Sequence, residues 1–301
     1  MSIQQAGKKI LHFPLTKIVI GLLVVVGVVM LAQSGTRWLF DQLSMERSIR
    51  GLLIGLVTAV LSILSYAALF RVYEKRTISE LSAKRIGRHL LIGILLGALL
   101  QSLTIFVMYM NGGFKIISLN PVSFLLPALG MSFTSAIFEE IMVRGIIFRI
   151  MEEKLGSYIA LVISACIFGA LHLGNPNSSL TAAIGLALQA GTFLAAAYIY
   201  SRNLWFPIAI HFAWNFTQGG IFGANTSGNS ISKSLLTTHI EGEDWYTGGA
   251  FGPEGSVQAT VFCVLATIVL LVLSHRQNKI IKPVWSKKHQ AIENKYAQVV
   301  P

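Results

Sequence analysis

Four polar groups interrupt an otherwise apolar sequence, and their side chains are of the kinds that activate water and stabilise an oxyanion. They are Glu139-Glu140-x-x-x-Arg144, Phe168-x-x-x-His172, His211-x-x-x-Asn215 and the single amide Gln189. Ionisable groups inside a bilayer cost about 2.5–3.5 kcal/mol each even on the lenient insertion scale, so they are functional candidates by default. Residues four apart on a helix share a face, which sets Glu140 over Arg144 and turns Glu139 away by about 100°. Glu139 therefore lacks an intrahelical cation, and a carboxylate so placed is suited to take a proton from water. His211 and Asn215 also share a face and offer two hydrogen bonds to one developing oxyanion.

A carboxylate, two imidazoles and an amide are what amide hydrolysis without a covalent nucleophile requires. The same atoms fit a metal: Glu139, His172 and His211 form the two-His, one-carboxylate set of catalytic zinc with a position open for water. No His-Glu-x-x-His is present. Each piece also has a plainer reading. Glu140 with Arg144 is a structural ion pair, a lone membrane histidine or Gln189 is helix-to-helix hydrogen bonding, and Phe168 and Trp214 are packing residues. Burying several uncompensated polar groups on different helices is costly unless they converge, so the functional reading requires convergence.

The elements that must position these groups are membrane helices. Hydrophobic residues make up 53% of the 301 positions and charged residues 12%, against about 25% charged in soluble chains. Apolar runs near 18–33, 49–70, 90–110, 122–148, 157–172, 180–200, 205–222 and 257–274 match a hydrocarbon core of about 30 Å. The predicted fold class is all-α, a polytopic membrane protein with a bundle of about eight transmembrane helices. Of 24 Lys and Arg, Arg37, Arg47, Arg50, Lys115 and Lys233 fall in outer segments and the other 19 in inner ones. Basic loops stay in the cytoplasm, so both termini are expected there.

The net charge of +11 is spread over inner loops and the tail without interleaved aromatics, which argues against nucleic acid and for anionic lipid headgroups. The first apolar run lacks a good A-x-A site and reads as a retained helix. Cys166 and Cys263 fall in apolar spans and read as small core residues. Residues 71–89 form an amphipathic connector, with Thr77-Ile-Ser79-Glu80 as a capping box before a short helix. Residues 223–256 form a long outer loop ordered in part by Trp245 and Phe251, and the tail after Ser274 is polar and mobile. Gly93-x-x-x-Gly97 is a helix-packing signal. The organisation divides into 1–119 (three helices and the basic connector), 120–223 (the motif-bearing helices) and 224–301 (outer loop, last helix and tail).

The three charged motifs, in this order on successive apolar segments, make the chain resemble the CPBP family, which comprises CAAX proteases and bacteriocin-processing enzymes and is also called the ABI family. The resemblance is specific over roughly residues 124–222, and Thr247 to Glu254 is similar to an outer-loop segment of bacterial members. It implies an intramembrane endopeptidase whose cavity opens toward the cytosol. By motif position, Glu139 and His172 activate the water, His211 and Asn215 stabilise the oxyanion, and Glu140, Arg144 and Phe168 support them. The family is described both as metalloproteases and as metal-independent glutamate proteases. No cofactor is expected here, because no second shell for zinc is evident in the sequence, although zinc stays a possible alternative.

The expected partners are the lipid bilayer and a membrane peptide or lipid-anchored protein cut near the inner leaflet, in a bacterial cytoplasmic membrane. Eukaryotic relatives cleave after a prenylated cysteine, and bacterial ones are linked to bacteriocin immunity, peptide maturation and membrane-protein processing. The competing readings are a non-catalytic immunity or scaffold protein and a transporter with Glu139 as proton carrier. The lack of an evident inverted repeat weighs against the transporter.

Overall fold

The structure, a computed structural model, describes residues 3–43 and 45–286. Lys287, Lys288 and Lys295 of the basic tail lie outside the described residues.

A short helix α1 (Ile3–Leu11) precedes three long ones, α2 (Pro14–Asp41), α3 (Arg47–Tyr73) and α4 (Ile86–Met110). A strand β1 (Phe114–Leu119) leads to α5 (Leu125–Glu140), which continues as a π-helix over Ile141–Phe148 and then as α6 (Arg149–Leu171). Next come α7 (Leu180–Leu186), a π-turn at Ala187–Gly191, α8 (Thr192–Ser201), and α9 (Trp205–Asn215) extended by a π-turn at Phe216–Ile221. After strand β2 (Leu236–Ile240) and the single turn α10 (Asp244–Thr247), α11 (Val257–Arg276) ends the bundle.

Among the described residues six helices are long and apolar enough to cross a membrane, and the chain is an integral membrane protein. Two of the eight expected spans escape a count by length, each for a structural reason. The stretch Val122–Gly174 counts as one helix of 53 residues, yet it reverses at Gly156, where φ is 76° and ψ 169°. A Cβ at Gly156 would sit 2.7 Å from the Ile281 carbonyl oxygen, so glycine answers both to the left-handed backbone and to the crossing tail. The other is the α9 segment, an 11-residue α-helix lengthened by six π-helical residues. Large apolar side chains such as Leu31, Leu95, Phe106, Val162, Leu265 and Val269 are exposed around the bundle. So much exposed apolar surface is what a lipid-facing wall requires.

The segments run back and forth between two ends. One end carries Arg71, Arg76, Arg85, Arg202 and Arg276 and is called the basic end here. The other holds the loop 222–256 and the antiparallel pair β1/β2, in which Phe114 faces Ile240. Small residues bring the helices together. A Cβ at Gly55 of α3 would lie 2.4 Å from the Gly130 carbonyl oxygen of α5, and one at Gly97 of α4 would lie 2.3 Å from the Ile210 carbonyl oxygen of α9. The packing signal read at Gly93 and Gly97 is therefore used, against α9.

Several expectations are corrected. The connector does not form a solvated capping-box helix: Ser79–Leu81 is a 3-10 turn whose first cap is Ile78, and Glu80 is buried. Glu80 instead accepts Arg76 Nη2 at 2.6 Å and the Tyr66 hydroxyl. Burial works against its ionisation, but these bonds outweigh burial and hold its carboxyl below the usual range. Cys263 is buried as expected, whereas Cys166 is exposed on the outer face of α6. Phe251 is buried in the loop, but Trp245 stands 63% exposed, with its ring edge-on to Tyr246. The start of the tail is tied down, because Ser157 N donates to the Ile281 carbonyl at 2.9 Å and Ile281 N to Ser157 Oγ at 2.8 Å.

Candidate active site

The hairpin at Gly156 puts Glu139, 17 residues before it, level with His172, 16 residues after it. With a rise of about 1.5 Å per residue, both stand roughly 25 Å from the turn. Helix α9 brings His211 to the same place. Glu139 Oε2 is 3.7 Å from His172 Nε2 and 3.9 Å from His211 Nε2. No protein group hydrogen-bonds that oxygen, although it is buried. Carboxylate and imidazoles thus converge from α5, α6 and α9, as the cost argument required.

Each ring is held from behind. His172 Nδ1 lies 2.8 Å from the Phe168 carbonyl oxygen, which only accepts, so Nδ1 bears hydrogen and, in the neutral ring, Nε2 presents the lone pair. His211 Nδ1 lies 3.2 Å from Glu140 Oε1. Glu140 Oε1 also accepts Arg144 Nη1 at 2.7 Å, and neither residue has any exposure. Arg144 is satisfied further by the Gly191 carbonyl at 2.9 Å and by the Phe168 ring, 4.7 Å from its guanidinium carbon. Phe168 is therefore more than packing: it fixes His172 through its carbonyl, lies tilted against its ring and covers Arg144.

Asn215 sits one turn beyond His211 and donates to Ser135 Oγ at 3.0 Å. Trp214, read as packing, donates through Nε1 to Gln218 Oε1 at 3.1 Å, and Gln218 Nε2 reaches the Asn225 carbonyl at 2.6 Å, which ties α9 to the loop. Gln189 is buried in the π-turn between α7 and α8, and neither of its amide atoms reaches a nitrogen or oxygen partner. Across the helices its side chain meets the Cys263 thiol of α11. Gln189 lines a small cavity of about 30 Å³ together with His211, Asn215, Ser227, Glu254 and Cys263.

Three features escaped the sequence reading. The first is that π-helical turns occur at Arg144, at Gln189 and directly after Asn215. Such turns cluster at functional sites because one extra residue re-aims a side chain. Nothing in local sequence announces them. The second is Ser135, four residues before Glu139, a spacing that could have marked it. The third is Glu254, which accepts Ser227 N–H from within the loop. Burial pushes its carboxyl above the ordinary range, against the opposing pull of the Ser227 bond.

Glu139, His172 and Asn215 line a cavity of about 610 Å³. Ser132, Thr134, Ser135, Asn175, Thr226, Ser227 and Asn229 set hydroxyls and amides into a wall that is otherwise mostly apolar. Such a wall can bond the backbone of an extended peptide, which a membrane helix must become before one of its bonds is cut.

For a metal, the donor set is close but not closed. Two ligands of one tetrahedral zinc stand roughly 3.3 Å apart when the bonds are ~2.0–2.1 Å, and the separations here are wider. Among the described residues no group of three His, Cys, Asp or Glu is gathered to hold a metal. The expected lack of a second shell is nevertheless corrected: Phe168 O and Glu140 stand behind the two rings where second-shell partners belong.

Residues 121–217 match a family model described as Type II CAAX prenyl endopeptidase Rce1-like. The matched segment runs from the turn before α5 into the π-turn after Asn215 and contains all three motifs, so this part of the chain is similar to a CAAX-type protease domain. No curated protein matches the sequence.

Proposed function

We propose that this protein is an intramembrane endopeptidase that hydrolyses a peptide bond of a membrane-associated peptide or protein with water activated by Glu139 and His172. The observation that carries the reading is the facing of both Nε2 atoms on one carboxylate oxygen, at 3.7 and 3.9 Å, with Glu139 and His172 on the wall of the large cavity. A water between Glu139 and His172 donates one hydrogen to each and turns a lone pair to the substrate carbonyl carbon. The new C–O bond gives a tetrahedral intermediate, the proton collected by Glu139 passes to the amide nitrogen, and the C–N bond breaks to leave an acid and an amine.

Asn215 is the oxyanion donor in every protonation state, since Nδ2 carries a second hydrogen beyond the one given to Ser135. His211 differs. With Nδ1–H directed at Glu140, its Nε2 donates only as the imidazolium. Glu140 and Arg144 act as positioning residues that hold His211 through that bond.

A zinc-dependent form of the same hydrolysis is the second reading, favoured by the partners behind both rings. The family description names a prenylated C-terminus as that family's substrate; the class proposed for this chain is a peptide segment of a membrane or exported protein.

The test is cleavage of membrane peptides by purified, reconstituted protein. Glu139→Ala and His172→Ala are expected to lose about 10²–10⁴ in rate, and Asn215→Ala about 10²–10³, with melting temperatures close to the parent. Cleavage that survives in a folded Glu139→Ala variant would sink the mechanism.

A further inference from the structure

The resemblance implies a cavity open to the cytosol, and the distribution of basic residues implies a cytoplasmic basic end. In this fold the two expectations exclude each other. The cavity is lined by Gln33 and Arg37 near the last turns of α2, Gly51 and Gly55 in the first turns of α3, Gly130 and Met131 near the start of α5, and Asn229 and Ile231 of the loop. All of these belong to the loop end. Arg37 and Met131 are exposed, so the cavity communicates with its surroundings there.

Toward the basic end the way is shut. Below Glu139 every residue from Val143 to Ile150 is buried. Tyr66 closes on this stretch, its hydroxyl oxygen 3.0 Å from the Gly145 carbonyl oxygen. Arg149 then spans the end, 3.0 Å from Glu74 and 4.8 Å from the Phe70 ring. Arg76 adds bonds to Glu74 at 2.7 Å and Glu80 at 2.6 Å. An aromatic layer backed by a layer of paired charges thus separates the site from the end that carries Arg71, Arg76, Arg85, Arg202 and Arg276.

Because basic loops are retained in the cytoplasm, we propose that the cavity draws its substrate from the non-cytoplasmic side of the membrane. The inference deepens the protease reading and rests on it for the word substrate. The chain to be cut then enters as an exported peptide, or as the non-cytoplasmic end of a membrane segment, reaching Glu139 past Arg37 and Asn229. A lipid-modified C-terminus held at the inner leaflet has no route to the carboxylate, which revises the sequence-based expectation of cutting near that leaflet.

Cysteine labelling reads this without reference to activity. In a background of Cys166→Ala and Cys263→Ala, single cysteines are introduced as Ser230→Cys beside the cavity rim, Thr134→Cys within the cavity and Lys84→Cys at the basic end. Intact cells are treated with a membrane-impermeant maleimide, and variants are compared only where they retain parental melting. The expected result is labelling at 230 and 134 before permeabilisation and at 84 only after it. The reverse pattern overturns the proposal, as does a cavity cysteine at 134 that reacts only from the cytoplasmic side.

A paired assay then presents one reporter with its cleavable segment exported and the same reporter with the segment cytoplasmic. Cleavage of the exported form alone supports the proposal, and cleavage of the cytoplasmic form alone overturns it. If outward labelling holds but Glu139→Ala changes the cleavage of neither reporter, the protease reading fails while the placement of the cavity stands.

Discussion

Glu140 stands between two partners: Arg144 one turn along its own helix, and His211 Nδ1 at 3.2 Å on another. A single oxygen, Oε1, serves both. The ion pair that sequence spacing predicts within one helix is thus also the inter-helix bond that orients an imidazole of the site.

Glu140→Gln and Glu139→Gln should consequently fail in different ways. Replacing Glu140 leaves the fully buried Arg144 uncompensated, and removing one member of a buried pair costs about 3–5 kcal/mol. Both the melting temperature and activity should fall. Among the described residues no hydrogen bond holds Glu139 Oε2, so Glu139→Gln should abolish turnover and leave melting nearly unchanged. Equal melting losses in the two variants would contradict the distinction.

Gly97 faces the carbonyl of Ile210, the residue next to His211, and a Cβ there would meet it at 2.3 Å. Gly97→Ala has to push α4 from α9 and displace His211 with it. Activity should drop at least tenfold, since a shift of about 1 Å at a reacting group costs up to 10²-fold. Gly87→Ala, whose Cβ would meet nothing within 4 Å, is the control and should behave as the parent.

Glu254 carries a pH signature. Its carboxyl titrates above the usual range in the fold because burial opposes the charge, so its contribution to stability is present below the unfolded pKa, about 4.3. It is lost as the pH rises through the folded value. Glu254→Gln, which still offers an oxygen to Ser227 N–H, should remove that loss and melt higher than the parent at pH 8 with little difference at pH 4. Glu254→Ala leaves that N–H unanswered and should cost about 1–3 kcal/mol at either pH. A Glu254→Gln difference that grows toward acid would show the sign to be wrong.

Metal dependence is open to a direct measurement. The metal-free mechanism expects full cleavage after exhaustive chelation. Loss of activity on chelation, restored by added zinc, would transfer Glu139, His172 and His211 from water activation to metal ligation and favour the second reading.

How far the sequence reached can be followed residue by residue. The apolar runs, the Glu140 over Arg144 spacing and the shared face of His211 and Asn215 are consequences of helical period and bilayer thickness, both local, and they were legible at once. The pairing of Gly97 with α9 was only half legible, since the motif says that a helix approaches and not which one. Nothing local could place Glu80 in a buried pocket with Tyr66, because burial is decided by what packs on top.

Chemistry and membrane identity were therefore written into residue types and spacings, which act over one or two helical turns. Only the tertiary structure decided that Glu139, His172 and His211 meet, that Phe168 and Glu140 orient the two rings, and that the cavity faces the loop end. The reason is physical: those facts depend on how helices cross and turn at positions such as Gly156, Gly97 and the three π-turns. Contacts between residues tens of positions apart leave no periodic trace in the chain.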